Sequence, residues 1–293
     1  MMKPAVSSYS FHQYIKAGKM TQLDVIAKAA ELGFAGVDYT DLAPVPSPTP
    51  EEQLAYAAEI RREAEKYGVE IVAYTVGANL YQGSAETDDA EVARLCGQVD
   101  VAEALGAKIM RHDVCSSERV GDRFVGFERM LPVIAANARR VTEYAQAKGI
   151  RTCSENHGYV AQDSDRVKRL YYAVDHENYG LLLDVGNFAC VDENSALAVS
   201  RLAPYAIHVH AKDFVIHPFG FLPREGQNTI RTRACQKLEG CAIGDGNIPV
   251  EQCVAILKKA KYDGFVTIEY EGNEDCVEGI ARGLQRLTRY ISE

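Results

Sequence analysis

Apolar positions along the chain follow two alternating periods. Short β-rich runs such as Val69 to Tyr74 alternate with longer stretches in which apolar residues recur every three or four positions. Between Phe124 and Lys148 the apolar stripe is Phe127, Leu131, Ile134, Ala138, Val141 and Ala145, the spacing of a helix with one buried face. Pro132 within that stretch predicts a kink. Helix and strand meet at a repeated junction, in which a helical stretch ends on glycine and a β-rich run follows. It is seen at Gly33, Gly68, Gly106, Gly149 and Gly264. Glycine just past a helix tolerates the left-handed conformation that stops it.

Five strands follow those glycines: Phe34 to Asp38, Val69 to Tyr74, Ala107 to Arg111, Ile150 to Glu155 and Phe265 to Glu271. Ala5 to Phe11, Gly180 to Asp184 and Ala206 to Asp213 bring the count to eight, each followed by helical sequence. Strands alternating with helices imply parallel pairing. Eight such units predict a single-domain (β/α)8 TIM barrel over residues 1–293. An open doubly wound sheet is the alternative, and the absence of G-x-G-x-x-G after the first strand argues against its dinucleotide-binding form.

Two connections stand out. Thr49 as cap, Pro50 at the first helical position and Glu51-Glu52 predict a helix start after a proline-spaced loop. The longest connection, from about Phe214 to Ile248 after the seventh strand, is read as a lid or an oligomer contact over the barrel mouth. Its Arg224, Arg231 and Arg233 fit a solvated loop better than a phosphate site.

Composition narrows the class. The chain has 293 residues, of which 47% are hydrophobic and 25% charged, as expected for a full globular core. No apolar run is long enough to span a membrane, and the start lacks the pattern of a secretory signal. Eight cysteines without a C-x-x-C pair fit reduced thiols in the cytoplasm. A net charge of −9 argues against a nucleic-acid partner and favours a small molecule. A homo-oligomer is expected.

The chemistry gathers at the predicted C-terminal strand ends. The segment from Ala206 to Asp213, read as a strand, puts His208, His210 and Lys212 on one face and Ile207, Val209 and Ala211 on the other. On neighbouring strand ends stand Glu155 with Asn156 and His157, Asp184 with Asn187, and Glu269 with Glu271. Three carboxylates and an imidazole converging there make a divalent-cation site, with Mn²⁺, Mg²⁺ or Co²⁺ preferred to Zn²⁺. His208, about 6.6 Å deeper than His210, reads as a hydrogen-bonded core residue. Periodicity leaves open which of Glu269 and Glu271 is the ligand.

Four segments in this order resemble the xylose-isomerase-like family of sugar isomerases and epimerases. They are Ser154-Glu155-Asn156-His157, Leu181 to Phe188, His208 to Asp213, and Thr267 to Glu271. The resemblance implies one divalent metal, with Mn²⁺ first, held by Glu155, Asp184, His210 and Glu269. It also implies that Glu155 and Glu269 act as the acid and base on a small keto-sugar. His157, Asn187, Lys212 and Phe11 are the expected substrate contacts. Where the family's ketose epimerases resemble D-x-x-H, this chain has Asp184-Val185-Gly186-Asn187, and an amide there cannot titrate near neutrality. A lyase on a keto-cyclitol or oxidised glycoside, such as an inosose dehydratase, is the nearest alternative. A metal-dependent abasic-site endonuclease and a non-catalytic barrel subunit are more remote.

Overall fold

The computed structural model describes residues 2–293. Eight parallel strands close into a barrel: β1 (Lys3–Ser7), β2 (Gly36–Thr40), β3 (Glu70–Val76), β4 (Ile109–His112), β5 (Arg151–Glu155), β6 (Tyr179–Asp184), β7 (Ala206–Ala211) and β8 (Phe265–Ile268). Each pairs with its sequence neighbours, and β8 pairs with β1 to close the ring. The main helices are α1 (Asp24–Leu32), α2 (Pro50–Tyr67), α3 (Ala85–Leu105), α4 (Phe127–Gln146), α5 (Ser164–Val174), α6 (Ser195–Leu202), α7 (Val250–Lys259) and α8 (Cys276–Ser292). Their apolar stripes pack on the barrel, so Ile134, Ala138, Val141 and Ala145 of α4 are all buried.

Local signals act as predicted at most boundaries. Thr49 and Glu52 form a reciprocal capping box at the start of α2, a cap that contributes about 1 kcal/mol. Gly33, Gly68, Gly106 and Gly149 adopt positive φ. Gly264 does not. Helix α7 ends at Lys259 and the left-handed residue there is Lys261. Gly264 is small for a steric reason instead, since a Cβ would meet the Tyr262 hydroxyl at 2.5 Å.

Two further expectations change. Strand β1 ends at Ser7, and Ser8–Phe11 form one 3-10 turn. The long connection after β7 is not a bare loop, because Asp213–His217, Ile230–Arg231 and Lys237–Cys241 pair as a three-stranded antiparallel sheet. Asp213 anchors this excursion, its carboxylate accepting from the backbone N–H groups of Phe214, Gly244, Gly246 and Ile248. Within it Arg233 donates to the Tyr159 carbonyl and pairs with Asp163.

Candidate metal centre and active site

Parallel register sets which side chains meet inside the barrel. His210 lies level with Asp184 on one side and Thr267 on the other, and Glu155 lies level with Leu182. Asp38, Thr75, Arg111, Glu155, Asp184, His208, His210 and Thr267 are all buried. Glu269 follows directly on β8 and keeps its ladder bond, its N–H donating to the Ala211 carbonyl at 3.0 Å.

Glu155, Asp184, His210 and Glu269 each bring one ligand atom to within 4.8 Å of the others. Asp184 Oδ1 accepts from the N–H groups of Gly186 (2.7 Å) and Asn187 (3.0 Å). Asp184 Oδ2 and His210 Nδ1 are buried without a hydrogen-bond partner. Buried polar atoms are seldom left unpaired, and here both face the same cluster. The donor set and its two orphan atoms therefore fit a divalent cation.

Asp38 on β2 was not singled out as a site residue in the sequence. Its Oδ2 receives His208 Nε2 at 3.1 Å and His210 Nε2 at 2.8 Å, while Thr75 donates to Oδ1 at 3.1 Å. Burial opposes ionisation, but hydrogen bonds from the two histidines hold Asp38 at about 2. Asp38 takes up the His210 Nε2 edge and leaves Nδ1 on the carboxylate side, 3.7 Å from Glu269 Oε2. His208 is thus a core histidine, as expected. Burial lowers its pKa.

Two internal cations balance the carboxylates. Arg111 on β4, also missed in the sequence, contacts Glu155 Oε2 at 2.6 Å and Asp113 Oδ1 at 2.7 Å. Lys212 Nζ lies 2.7 Å from Glu269, 3.2 Å from Glu271 and 3.4 Å from Asp184 Oδ2. It is thus held within the carboxylate cluster. Burial would neutralise Lys212, but Asp184, Glu269 and Glu271 push its pKa well above the ordinary value. Burial likewise disfavours ionised Glu269, and Lys212 with His210 outweighs it to hold the carboxyl well below its usual range. Asp184 is pushed up to about 6, by burial and then by its acidic neighbours against Lys212.

The cluster floors a cavity of about 240 Å³ at the barrel mouth, lined by Arg111, Asp113, Glu155, His157, Lys212 and Glu269 among others. His157 Nδ1 bonds Asp113 at 2.9 Å. Burial lowers the His157 pKa and the Asp113 bond more than offsets it, giving a net rise. Asn187 lies beside the cavity, its amide donating to Glu155 Oε1 at 2.8 Å. Phe11 has no exposed surface and packs in the core. Tyr9, two residues earlier, lines the cavity in its place. A larger cleft of about 450 Å³ lies at the opposite end of the barrel, around Arg61, Lys108 and Lys148, without this cluster.

Residues 26–290 match the family model described as xylose isomerase-like TIM barrel. The chain belongs to that family. An inosose dehydratase of Clostridium beijerinckii is 24% identical over 162 residues, covering 55% of this chain and 53% of that protein. The rhizopine catabolism protein MocC of Rhizobium meliloti is 26% identical over 232 residues, covering 73% and 67%. This chain therefore spans about half the length of the first relative and about two thirds of the second. A D-psicose 3-epimerase with D-tagatose from Clostridium cellulolyticum H10 superposes with a TM-score of 0.73 at 16% identity, covering 99% and 98%. The IolI protein with a binding zinc atom gives 0.73 at 14%, again covering 99% and 98%. At such identities these structures report the shared fold. The family is xylose isomerase-like, the relatives by sequence include proteins named inosose dehydratase, and the acidic and histidine cluster of this member could hold a metal ion.

Proposed function

We propose that the protein is a divalent-metal-dependent isomerase or epimerase of a small keto-sugar. The observation that carries this reading is the pair of glutamates, Glu155 and Glu269, on one cavity with Asp184 and His210 beside them. A cation held by these four residues supplies Lewis-acid stabilisation of the negative charge that develops on the substrate carbonyl oxygen. Three oxygen donors and one imidazole put Mn²⁺ first, ahead of Mg²⁺, Co²⁺ and Zn²⁺.

The chain's own groups account for the rest. Lys212 keeps Glu269 ionised, the state in which a carboxylate accepts a proton from the carbon beside a ketone. Arg111 and the Asn187 amide fix both oxygens of Glu155, so a proton held there is delivered from a constant direction. Return to the opposite face of the same carbon epimerises; return to the adjacent carbon isomerises. Arg111, Asp113 and His157 line the cavity as donors and acceptors for substrate hydroxyls.

Dehydration of the same substrate class is the second reading. It is favoured by the inosose dehydratase relatives and by His157, whose Asp113 partner favours the protonated imidazole at the cavity wall. That imidazolium could protonate a departing β-hydroxyl. The eight unpaired cysteines suit the cytosol. Phe219 and Leu222, 81% and 86% exposed in the excursion after β7, suit a homo-oligomer.

The test is incubation of metal-loaded protein with a panel of keto-sugars and inososes in deuterated water. Deuterium incorporation beside the carbonyl without change of composition is expected, and loss of water would select the dehydratase. Activity that survives chelation, or full turnover by Glu269→Gln, would defeat the metal-assisted two-glutamate reading.

A further inference from the structure

A cleft of about 490 Å³ opens outside the barrel mouth, with a lining distinct from that of the cavity above the metal cluster. Arg119, Arg166 and Arg233 bring three guanidinium groups to its wall, with the hydroxyls of Ser116 and Ser117 beside them. Such a concentration of cations runs against the net charge of −9 carried by the chain.

Three connections build the cleft. The loop after β4 runs from Asp113 through Ser116 and Ser117 into a short hairpin, in which Arg119 stands opposite Phe124. The loop after β5 runs from His157 into Gly158 and Tyr159, both at positive φ (79° and 66°). A Cβ at Gly158 would meet the Cys115 carbonyl oxygen at 3.0 Å, so the two loops pack directly on each other. A tyrosine in the left-handed region is strained, and its surroundings hold it there. Its N–H donates to the Gln162 side chain at 2.6 Å, its hydroxyl donates to the Arg231 carbonyl at 2.6 Å, and its own carbonyl accepts from Arg233 at 2.9 Å. The last two bonds come from the excursion after β7, which closes the third side.

The cations of the wall are only partly neutralised. Arg166 lies 3.4 Å from Glu118 and 3.8 Å from Asp163, and Arg233 lies 3.4 Å from the same Asp163. Two carboxylates thus serve three guanidinium groups at long range. Arg119 forms no ion pair among the described residues; its guanidinium donates to the Asp122 carbonyl at 2.7 Å and has further N–H groups to offer. Phe124 and Tyr159, 61% and 41% exposed, add two aromatic faces to the same wall.

We propose that this cleft binds a nucleoside monophosphate, at a site separate from the metal cavity. Arg119, Arg233 and the two serine hydroxyls hold the phosphate, because planar guanidinium forks match its oxygens and reach it from opposite walls. The base lies against Phe124 and Tyr159, where an aromatic face accepts any planar ring. The volume of about 490 Å³ falls inside the roughly 300–1,000 Å³ typical of small-molecule sites.

The test is calorimetric titration of the metal-loaded protein with AMP, adenosine and inorganic phosphate. One AMP per chain is expected, with adenosine and inorganic phosphate each at least about 10-fold weaker. Arg119→Glu should weaken AMP about 10- to 100-fold, the loss of a hydrogen bond to a charged group. Phe124→Ala should weaken it about 5-fold or more, through lost stacking. Arg233→Gln removes a guanidinium from the opposite wall and should weaken AMP by a similar factor, whether or not the hairpin variants fold. Arg61→Glu, at the other end of the barrel, should leave the affinity unchanged. Absence of AMP binding, adenosine or phosphate binding as tightly as AMP, or an affinity that survives both Arg119→Glu and Arg233→Gln overturns the proposal. Equal weakening by Arg61→Glu overturns it too, since the effect would then be one of overall charge.

Discussion

From β5 to β8 the barrel mouth presents carboxylates and an imidazole, two of whose buried atoms find no hydrogen-bond partner among the described residues. From β1 to β4 it presents Asp38, Arg111 and Asp113, whose charged oxygens and terminal guanidinium nitrogen are tied to other protein groups, although Arg111 Nε and His112 Nε2 also lack a hydrogen-bond partner among the described residues. In the proposed function the first half supplies the groups that bind and react. The second half sets their charge and direction: Asp38 orients His210, and Arg111 fixes Glu155 and, through Asp113, His157. A substitution in one half should therefore fail differently from a substitution in the other.

The largest effect should come from the reacting half. Glu269→Gln is expected to lower kcat by about 10³-fold, within the range for loss of a positioned acid or base, while circular dichroism and thermal midpoint stay near wild type. Collapse of stability in step with activity would erase the distinction between the halves. On the supporting side, Arg111→Met leaves Glu155 and Asp113 without their buried cation. It should destabilise the fold by about 3–5 kcal/mol, measured by urea unfolding. An unchanged midpoint would mean that Arg111 belongs with the reacting groups instead.

Asp38→Asn should act more subtly. Metal affinity measured by calorimetry is expected to fall about 10–100-fold, the usual cost of losing an orienting carboxylate behind a ligating histidine. The same variant sharpens the acid behaviour. Because folding lowers the Asp38 pKa from 3.8 to about 2, its contribution is fully present above the unfolded value and disappears as pH falls through the folded one. The wild type should therefore lose stability between about pH 4 and pH 2 more steeply than Asp38→Asn. Parallel acid limbs would show that the two histidine bonds carry no net stabilisation.

The same division describes how much of the site could be read in advance. Glu155, Asp184, His210 and Glu269 sit at strand ends, where a polar residue interrupts an apolar run and therefore stands out. Asp38 sits inside Gly36-Val37-Asp38-Tyr39-Thr40 and Arg111 inside Ile109–His112, where one charged residue in a short run looks like solvent-facing alternation. A signal existed, since an acidic and a basic residue fell on predicted barrel strands. What it lacked was the distant partner, 170 or more residues away for Asp38 and, in Glu155, 44 away for Arg111. Phe11 and Tyr9 show the local version of the difficulty. Strand alternation would put both on one face, but the chain turns into a 3-10 helix at Ser8 and sends Tyr9 to the cavity and Phe11 into the core.

By itself the sequence determined the eight βα units, their helix caps and the order in which acid, acid, imidazole and acid reach the barrel mouth. Those features rest on local periodicity, turn chemistry and the rule that parallel strands put their C-terminal ends on one face. Only the tertiary structure decided how the charges are shared. Whether Lys212 faces solvent or three carboxylates and which nitrogen of His210 is free both depend on distances across the closed barrel. Burial turns those distances into large electrostatic effects, and no local pattern encodes them.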